Sequence, residues 1–339
     1  MSPADPSTIS APGPEDLITD WYLPLSDPLK GFIYPGPVMI QEHPRLFDLA
    51  AHMLRLSVEH TKSGRVDFVI RHDGRSYRGH KINTITGPVY TLRRLPDHVP
   101  ALEKLGMPSA VSQLLIHPKL SKGGLVLVCG ETGQGKSTTC AATVKERMER
   151  LGSFCLTVED PPEMPLNGTH GLGQCLQTEV EDEDWPAAMK GAMRCYPAVS
   201  GSMLYVGETR DAETAAAVLR IATNGHLVLT TLHAEGLESA VQRYQSMASG
   251  AKGMVQSEIQ AILASSFRLA LHQELVDETI QGRVKRRLKV NFLFSPNSRS
   301  PVAQKLRVGG ESLNNEIRMQ EMTMRNHGAQ GILKMWDEN

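Results

Sequence analysis

The stretch GLVLVCGETGQGKSTT, from Gly124 to Thr139, decides the fold of this chain. It reads as a buried strand, a glycine-rich turn and the start of a helix, and it fills the pattern G-x-x-x-x-G-K-[ST] with Gly130, Gly135, Lys136 and Ser137. Glycines allow such a loop to curl so that backbone N–H groups and the helix N-terminus point at phosphate oxygens. The stretch therefore predicts a binding site for a nucleoside triphosphate.

The residue types in this loop suit ATP and Mg²⁺. Lys136 is long enough to reach the β- and γ-phosphates, and the Ser137 hydroxyl is the predicted Mg²⁺ ligand. Two acids further along the chain, Glu159 and Glu208, are expected to support the metal through bound water. The predicted nucleotide-binding residues are Gly130, Glu131, Thr132, Gly133, Gln134, Gly135, Lys136, Ser137 and Thr138.

The composition predicts a globular chain that works in the cytoplasm. Its 339 residues are enough for two domains, and its formal net charge of −1 provides no overall positive field for nucleic acid or acidic lipid. No run of about 18 apolar residues predicts a membrane span, and the first residues lack the features of a secretory signal. The five cysteines are scattered and never form C-x-x-C, which favours reduced thiols.

Apolar runs and proline-rich breaks divide the chain into four parts. Residues 1–28 are expected to be a disordered lead-in, and residues 29–100 a small α+β domain. A linker at 101–108 leads into an α/β domain at 109–339 that ends in a helical tail. Strands and helices alternate in this last part, which predicts a parallel-rich sheet with nucleotide at the carboxyl ends of its strands.

Polar side chains follow three of the later strands. Glu159 lies in LTVEDPPE, Glu208 lies in MLYVGETRDAET, and His226 and His233 bracket the strand in TNGHLVLTTLHAE. An isolated acid or histidine of this kind is usually a solvated loop residue. Because all of them follow a phosphate loop in order, we expect one acid to activate water and another to hold Mg²⁺ through water.

Four segments together resemble one family. GETGQGKST, TVEDPPE, VGETRD and GHLVLTTLHA are similar to the Walker A, Asp box, Walker B and His box of the ATPases of type II and type IV secretion and type IV pili, with similarity from about Ser76 to Glu274. The resemblance implies a homo-hexamer of subunits with a RecA-like P-loop ATPase domain after a PAS-like domain. It implies that Glu208 activates water, Glu159 lies near Mg²⁺, and His226 and His233 sense the γ-phosphate.

The resemblance also implies a role for arginines of the smaller domain. That family sends arginines from its N-terminal domain to the γ-phosphate, and Arg78 and Arg93 lie at the matching places in RSYRGHK and TLRRLP. Arg94 follows directly, but neighbouring residues of a strand face opposite ways. At most one of Arg93 and Arg94 is therefore expected to point at nucleotide.

Departures from the family patterns favour one branch. The chain has no C-x-x-C element of the assembly-type ATPases, and VAQKLRVGG keeps Arg307 and Gly309 of the retraction motif but has Ala303 where an arginine is expected. This favours the type IVB Dot/Icm-type and conjugative TraJ-like ATPases, with pilus retraction as the alternative. The implied partners are platform proteins of the inner membrane, reached by peripheral association without a membrane span.

Two other functions stay open at this point. A nucleic-acid translocase could use the same RecA-like core, although near-neutral charge and the lack of an aromatic–basic array argue against direct contact with nucleic acid. The second open function is a regulatory subunit that binds nucleotide without hydrolysing it. It stays open because no acid lies between Arg194 and Glu208, where the family usually places one.

Overall fold

The computed structural model describes residues 17–180, 184–197, 202–280 and 283–336. The chain divides into two compact units, Met1–Asp97 and His98–Asn339. Residues 1–16 of the predicted lead-in lie outside the described residues. None of the described helices combines the length and the apolar character needed to cross a membrane.

The N-terminal unit is one antiparallel sheet with one α-helix. Its elements are β1 (Asp20–Pro24), β2 (Phe32–Tyr34), β3 (Val38–Met39), α1 (Phe47–His60), β4 (Asp67–His72), β5 (Arg75–Thr84) and β6 (Gly87–Arg94). The six strands lie in the order β3-β2-β1-β6-β5-β4. Strand residues alternate between the two faces, so Trp21 and Leu23 of β1 are buried with Met53 of α1 in the core of this unit.

The start of this unit differs from the prediction. Residues 20–24, expected to belong to a lead-in, form β1, which pairs with β6 and with β2. The segment DWYLP is short and follows a stretch rich in Pro and Ser, so composition hides it. Its stability comes from partners far along the chain, such as Leu92 opposite Trp21.

The C-terminal unit is a parallel-rich sheet covered by helices on both faces. Its elements are α2 (Ser109–Ile116), β7 (Gly124–Cys129), α3 (Lys136–Leu151), β8 (Phe154–Glu159), β9 (Gly168–His170), β10 (Gly173–Glu179), α4 (Trp185–Arg194), β11 (Met203–Val206), α5 (Ala212–Thr223), β12 (Leu227–Leu232), α6 (Leu237–Ser249), α7 (Gln256–Ser266), β13 (Phe267–Ile280), β14 (Arg283–Phe294), α8 (Pro301–Val308) and α9 (Asn314–Lys334). The strand order is β14-β13-β7-β12-β11-β8-β10-β9, and only β14 and β9, at the edges, pair antiparallel with their neighbours.

Burial explains why the central strands read as mostly apolar runs. Every residue of β7 and of β12 is buried, as expected where helices cover both faces of a parallel sheet. One core lies against α4 to α8, and the other lies against α2, α3 and the end of α9. Leu102 and Met107, in the segment predicted as a linker, are buried in this second core.

A buried arginine ties α3 to the chain that leaves α2. The Arg147 side chain is 0% exposed; its Nη1 donates to the carbonyl oxygens of Leu115 (2.8 Å) and His117 (3.1 Å), and its Nη2 donates to Ser121 Oγ (2.8 Å). Burial lowers the pKa of Arg147 to about 10. These bonds hold the turn that feeds β7, and β7 leads directly into the phosphate loop.

We expect Arg147→Ala to destabilise the protein by about 2–4 kcal/mol, because the buried carbonyl of Leu115 and the partly buried carbonyl of His117 lose their donor. Urea unfolding followed by circular dichroism measures this loss. Arg150→Ala is the matched control: Arg150 lies on the same helix, is exposed and pairs only with Glu146 among the contacts described. The control should change stability by no more than about 0.5 kcal/mol. Equal losses in the two variants would contradict the role of Arg147.

Candidate active site

The phosphate loop joins β7 to α3 with a backbone that requires glycine. Gly130, Gly133 and Gly135 have φ angles of 148°, 78° and 77°, in the region that L side chains rarely adopt. A Cβ atom on Gly130 would also collide with the backbone oxygen of Gln273 on β13. The helix α3 begins at Lys136, and the N–H groups that precede the first intrahelical bond of a helix, here from Thr139 to Gly135, are available to a ligand. The loop thus has the shape and polarity of an anion site.

Lys136 is enclosed by this loop. Its side chain is 8% exposed, and Nζ donates to the carbonyl oxygens of Gly130 (3.0 Å) and Glu131 (2.7 Å). The same nitrogen lies 3.4 Å from Nδ1 of His233. Burial lowers the pKa of Lys136, while the charge of Glu208 acts in the opposite direction. The ammonium group is therefore held inside the loop where the β- and γ-phosphates are predicted.

Glu208 contacts the same histidine as Lys136. Its Oε1 lies 3.1 Å from Nε2 of His233, and its Oε2 accepts a hydrogen bond from Nε of Arg210 at 2.9 Å. Glu208 follows β11, His233 follows β12, and the phosphate loop follows β7; these strands are parallel neighbours. Because their carboxyl ends share one edge of the sheet, residues predicted from separate motifs meet in one site.

Glu159 ends the next parallel strand, β8, and is almost fully buried. Its side chain is 3% exposed, and Oε1 accepts a hydrogen bond from Nε2 of Gln177 at 2.9 Å. Burial raises the pKa of Glu159 to about 7, against hydrogen bonds from Gln177, from the Thr157 side chain and from the backbone of Glu163. A Cβ atom on Gly207 would lie 3.3 Å from Cγ of Glu159, so the chain beside Glu208 packs closely on this acid.

Ser137 has the chemistry of a Mg²⁺ ligand in the first turn of α3. Its hydroxyl is a hard oxygen donor, and Glu159 and Glu208 end neighbouring strands at the same edge. Within the described residues, no cluster of three or more His, Cys, Asp or Glu side chains could hold a metal ion by itself. A hydroxyl oxygen near carboxylates is the donor chemistry that a hard cation such as Mg²⁺ accepts.

The remaining loop residues fall into two groups. Glu131, Thr132 and Gly133 are exposed, and Thr138 is half-buried on α3. Gln134 is anchored to β13: its backbone oxygen accepts from Nε2 of Gln273 at 2.5 Å, and its Oε1 accepts from the backbone N–H of Leu275 at 2.6 Å. The loop is thus attached to a strand more than a hundred residues away.

The structure does not bring His226 to this site. His226 precedes β12, and its carbonyl oxygen accepts from the N–H of Gly124 at the start of β7. Its ring stacks on Tyr196, with 4.3 Å between the ring centroids, and burial lowers its pKa. At about 3.3 Å per residue, β12 separates it from His233 by about 20 Å. Of the two predicted histidines, only His233 lies at the phosphate loop.

Arg78 and Arg93 belong to the N-terminal unit. They lie directly opposite each other on β5 and β6, so both side chains emerge on the same face of that sheet. Nε of Arg93 donates to Oδ1 of Asp20 at 2.8 Å. Arg94 lies on the other face and pairs with Asp97. The structure thus separates Arg93 from Arg94, and the action of Arg78 and Arg93 on a γ-phosphate stays a prediction.

Three contributors escaped sequence reasoning: Gln177, Arg210 and Tyr205. Tyr205 is 1% exposed; burial raises its pKa, and an interaction with the Ser137 side chain acts in the opposite direction. A tyrosine within the otherwise aliphatic strand MLYV is a signal that could have drawn attention to it, because a buried phenol usually has a polar partner. Gln177 and Arg210 carry no comparable signal.

The chain matches one protein family over most of its length. Residues 59–335 match the family described as type II/IV secretion system protein. Uncharacterized protein YggR of Escherichia coli (strain K12) is 36% identical over 225 residues, which cover 66% of this chain and 65% of that protein. The type IV pilus retraction ATPase PilT of Pseudomonas aeruginosa is 31% identical over 249 residues, which cover 72% of this chain and 67% of that protein. The chain thus matches about two thirds of the length of these relatives.

Solved structures are similar over nearly the whole chain. A crystal structure of the pilus retraction motor PilT with bound ADP aligns with a TM-score of 0.69 at 23% identity and covers 95% of this chain and 90% of that one. The X-ray structure of the Legionella pneumophila ATPase DotB aligns with a TM-score of 0.63 at 25% identity and covers 92% of this chain and 85% of that one. These likenesses confirm the predicted α/β fold, in which a RecA-like domain follows a smaller sheet domain.

The raised pKa of Glu159 predicts a pH-dependent effect of Glu159→Gln on stability. Because the folded-state pKa is about 7 and the ordinary value is 4.5, folding favours the protonated acid, and this favourable contribution is lost as pH rises from 4.5 through 7. Relative to wild type, the glutamine variant should gain up to about 3 kcal/mol between pH 5 and pH 8.

Urea unfolding without nucleotide or metal at several pH values measures this gain. Glu149→Gln, at a surface position of α3 paired with Lys145, is the control and should show no such trend. A Glu159→Gln difference that stays constant across this pH range would contradict the prediction.

Proposed function

The chain belongs to the type II/IV secretion system protein family, and on that premise we propose that it is the ATP-hydrolysing motor subunit of such a machine. The contact line from Lys136 through His233 to Glu208 carries this proposal. It links a phosphate-binding cation to a carboxylate able to activate water. A site for phosphate binding alone would not need a carboxylate connected to the lysine in this way.

The loop residues bind the nucleotide in this proposal. Lys136 exchanges the carbonyl oxygens of Gly130 and Glu131 for phosphate oxygens, and the loop N–H groups surround the β-phosphate. Ser137 would hold Mg²⁺ together with phosphate and water oxygens, with Glu159 and Glu208 acting through water. The metal, when bound, neutralises charge on the β- and γ-phosphates.

Glu208 is the proposed base. One of its oxygens contacts His233 and the other accepts from Arg210, so the carboxylate is oriented from both sides. It would accept the proton of the attacking water, as a base within hydrogen-bond reach of that water does. His233 contacts both Lys136 and Glu208, so a shift of the lysine on loss of the γ-phosphate would reach the base through one ring.

The motor is proposed to be a homo-hexamer. Arg78 and Arg93 would then act on the γ-phosphate of a neighbouring subunit, where an arginine stabilises the charge of the transition state. The ring would bind inner-membrane platform proteins at their cytoplasmic face, without direct contact to nucleic acid. Closure of the subunits around ATP would supply the mechanical step.

The proposed motor drives a type IVB secretion or conjugation machine. Ala303 lies at the position where the retraction motif has an arginine. It is 0% exposed and is buried on α8 together with Val302 and Leu306. An arginine at that position would bury a charge, which is costly unless a partner of opposite charge lies beside it. The local environment therefore supports a departure from the retraction pattern.

Pilus retraction is the second candidate, because a retraction ATPase is 31% identical over 249 residues. The genes that flank this one distinguish the two machines. Pilin and pilus platform genes would favour retraction, and Dot/Icm-type or conjugation genes would favour the first candidate. Stimulation of hydrolysis by DNA with a steep salt dependence would instead favour a translocase.

We expect Glu208→Gln to bind ATP with nearly wild-type affinity but to lose turnover by about 10²–10⁴-fold, because the amide cannot accept the proton of water. Phosphate release and titration with a fluorescent ATP analogue measure the two properties separately. Lys136→Ala should lose both, and the surface variant Glu149→Gln should lose neither. Wild-type turnover in Glu208→Gln would contradict its role, and a wild-type chain without turnover would favour a regulatory subunit.

Mixed rings test whether Arg93 acts across a subunit boundary. Arg93→Ala alone should lower turnover by about 10³-fold or more, and Lys136→Ala alone should be inactive. When the two proteins are mixed, a Lys136→Ala subunit supplies Arg93 to its neighbour, so phosphate release should recover. Arg94→Ala, which changes the adjacent arginine on the opposite face, is the control and should keep its turnover. Failure to recover at any mixing ratio would contradict action in trans.

A further inference from the structure

The strand β13 runs beyond the end of its parallel neighbour. Its last partner on β7 is Cys129, opposite His272. From Gln273 onward, β14 is the one strand among the described residues that pairs with β13. The two form a ribbon crossed by ion pairs between Asp277 and Arg286 and between Glu278 and Arg287. The phosphate loop starts where β7 ends, so it lies beside the open edge of this ribbon.

Beyond His272, where β7 no longer pairs with β13, Gln134 of the loop forms hydrogen bonds to β13 instead. Oε1 of Gln134 accepts a hydrogen bond from the backbone N–H of Leu275 at 2.6 Å, as a carbonyl oxygen of a further strand would. In return, Nε2 of Gln273 donates to the backbone oxygen of Gln134 at 2.5 Å. We call these two bonds the glutamine clasp; they attach both the side chain and the backbone of Gln134 to β13.

The clasp restrains the part of the loop that lies between two glycines. Gln134 lies between Gly133 and Gly135, whose positive φ angles are accessible at low cost only without a side chain. Such glycines leave a free peptide many conformations, and ordering them on ligand binding would weaken affinity. A loop that is already ordered before the nucleotide arrives avoids this loss.

The Gln273 amide is poorly explained as a packing residue. It is 1% exposed, and within the described part of the chain its Oε1 has no hydrogen-bond partner. A leucine of similar volume would fill the same space without a buried unsatisfied oxygen. Cδ1 of the neighbouring Leu275 would lie 3.9 Å from a Cβ atom on Gly135, so the strand also packs on the loop. The amide group is therefore best explained by its bond to Gln134.

We propose that Gln273 is a positioning residue that preorganises the phosphate loop through the glutamine clasp, and that the clasp links nucleotide occupancy to the order of the β13–β14 ribbon. The proposal rests on nucleotide binding at this loop, as in the function proposed above, but not on hydrolysis. Bound phosphates hold the loop, the loop holds the Leu275 N–H, and the ribbon is thereby stiffened at its base.

The test compares Gln273→Leu and Gln134→Ala with wild type in the full-length chain. Titration with a fluorescent ADP analogue and Mg²⁺ should show affinity weakened about tenfold in each variant, a loss of preorganisation equivalent to about 1.4 kcal/mol. In Gln273→Leu, the kcat at saturating ATP should change by no more than about twofold, because Gln273 touches no reacting atom. The double variant should bind the ADP analogue no more weakly than the single variant with the lower affinity, because both changes break the same glutamine clasp.

Faster hydrogen exchange at the Leu275 amide without a matching change at the amides of β7 is the readout that a general loss of stability would not reproduce. In wild type this amide should be protected, and more so with ADP; in Gln134→Ala it should exchange rapidly in either state, and in Gln273→Leu the ADP effect should disappear. Gln174→Leu, at an exposed glutamine on β10, is the matched control and should behave as wild type.

Unchanged affinity or unchanged Leu275 protection in the clasp variants would overturn the proposal. If Gln273→Leu does not fold, Gln134→Ala, at a half-buried loop position, decides the matter alone. A wild-type chain that binds ADP but hydrolyses no ATP would refute the motor function and leave the clasp intact. A wild-type chain that binds no nucleotide would overturn both.

Discussion

A lysine held almost out of water is the constraint on which the site depends. Lys136 is 8% exposed, and a buried ammonium group is costly unless several acceptors surround it. Two carbonyl oxygens of the loop and a ring nitrogen of His233 surround it. The curled loop, which depends on glycine, and His233 at the end of β12 therefore both supply polar contacts to this ammonium group. In the nucleotide complex that we propose, phosphate oxygens would replace the carbonyl oxygens around Lys136.

The sheet gives the two acids of the site different environments. Glu159 is enclosed at the end of β8, where burial raises its pKa to about 7. Glu208, one strand away, contacts His233 and Arg210 and is more open, with 19% of its side chain exposed. Two carboxylates with separate surroundings can take separate roles. A proton acceptor for water suits Glu208, and support of the metal suits Glu159.

Several parts of this arrangement could be predicted from sequence, because their signals are local. The phosphate loop shows its glycines, lysine and serine within eight residues, and an apolar strand directly precedes it. The strand β1 was missed because DWYLP is short and is stabilised by β6, far along the chain. The pattern of His226 and His233 around one apolar run predicts both in the site, but a strand carries its two ends to opposite edges of the sheet.

The sequence by itself determined that this chain builds a phosphate loop on a parallel sheet, since glycine positions, a following lysine and a fully apolar strand act through the local backbone. It also indicated which strand ends carry acids. Only the tertiary structure decided that His233 and not His226 meets Lys136, and that Gln177 and Gln273 hold Glu159 and Gln134. The physical reason is that these partners are set by strand pairing between segments far apart in the chain, and such pairing leaves little trace in the residues around each one.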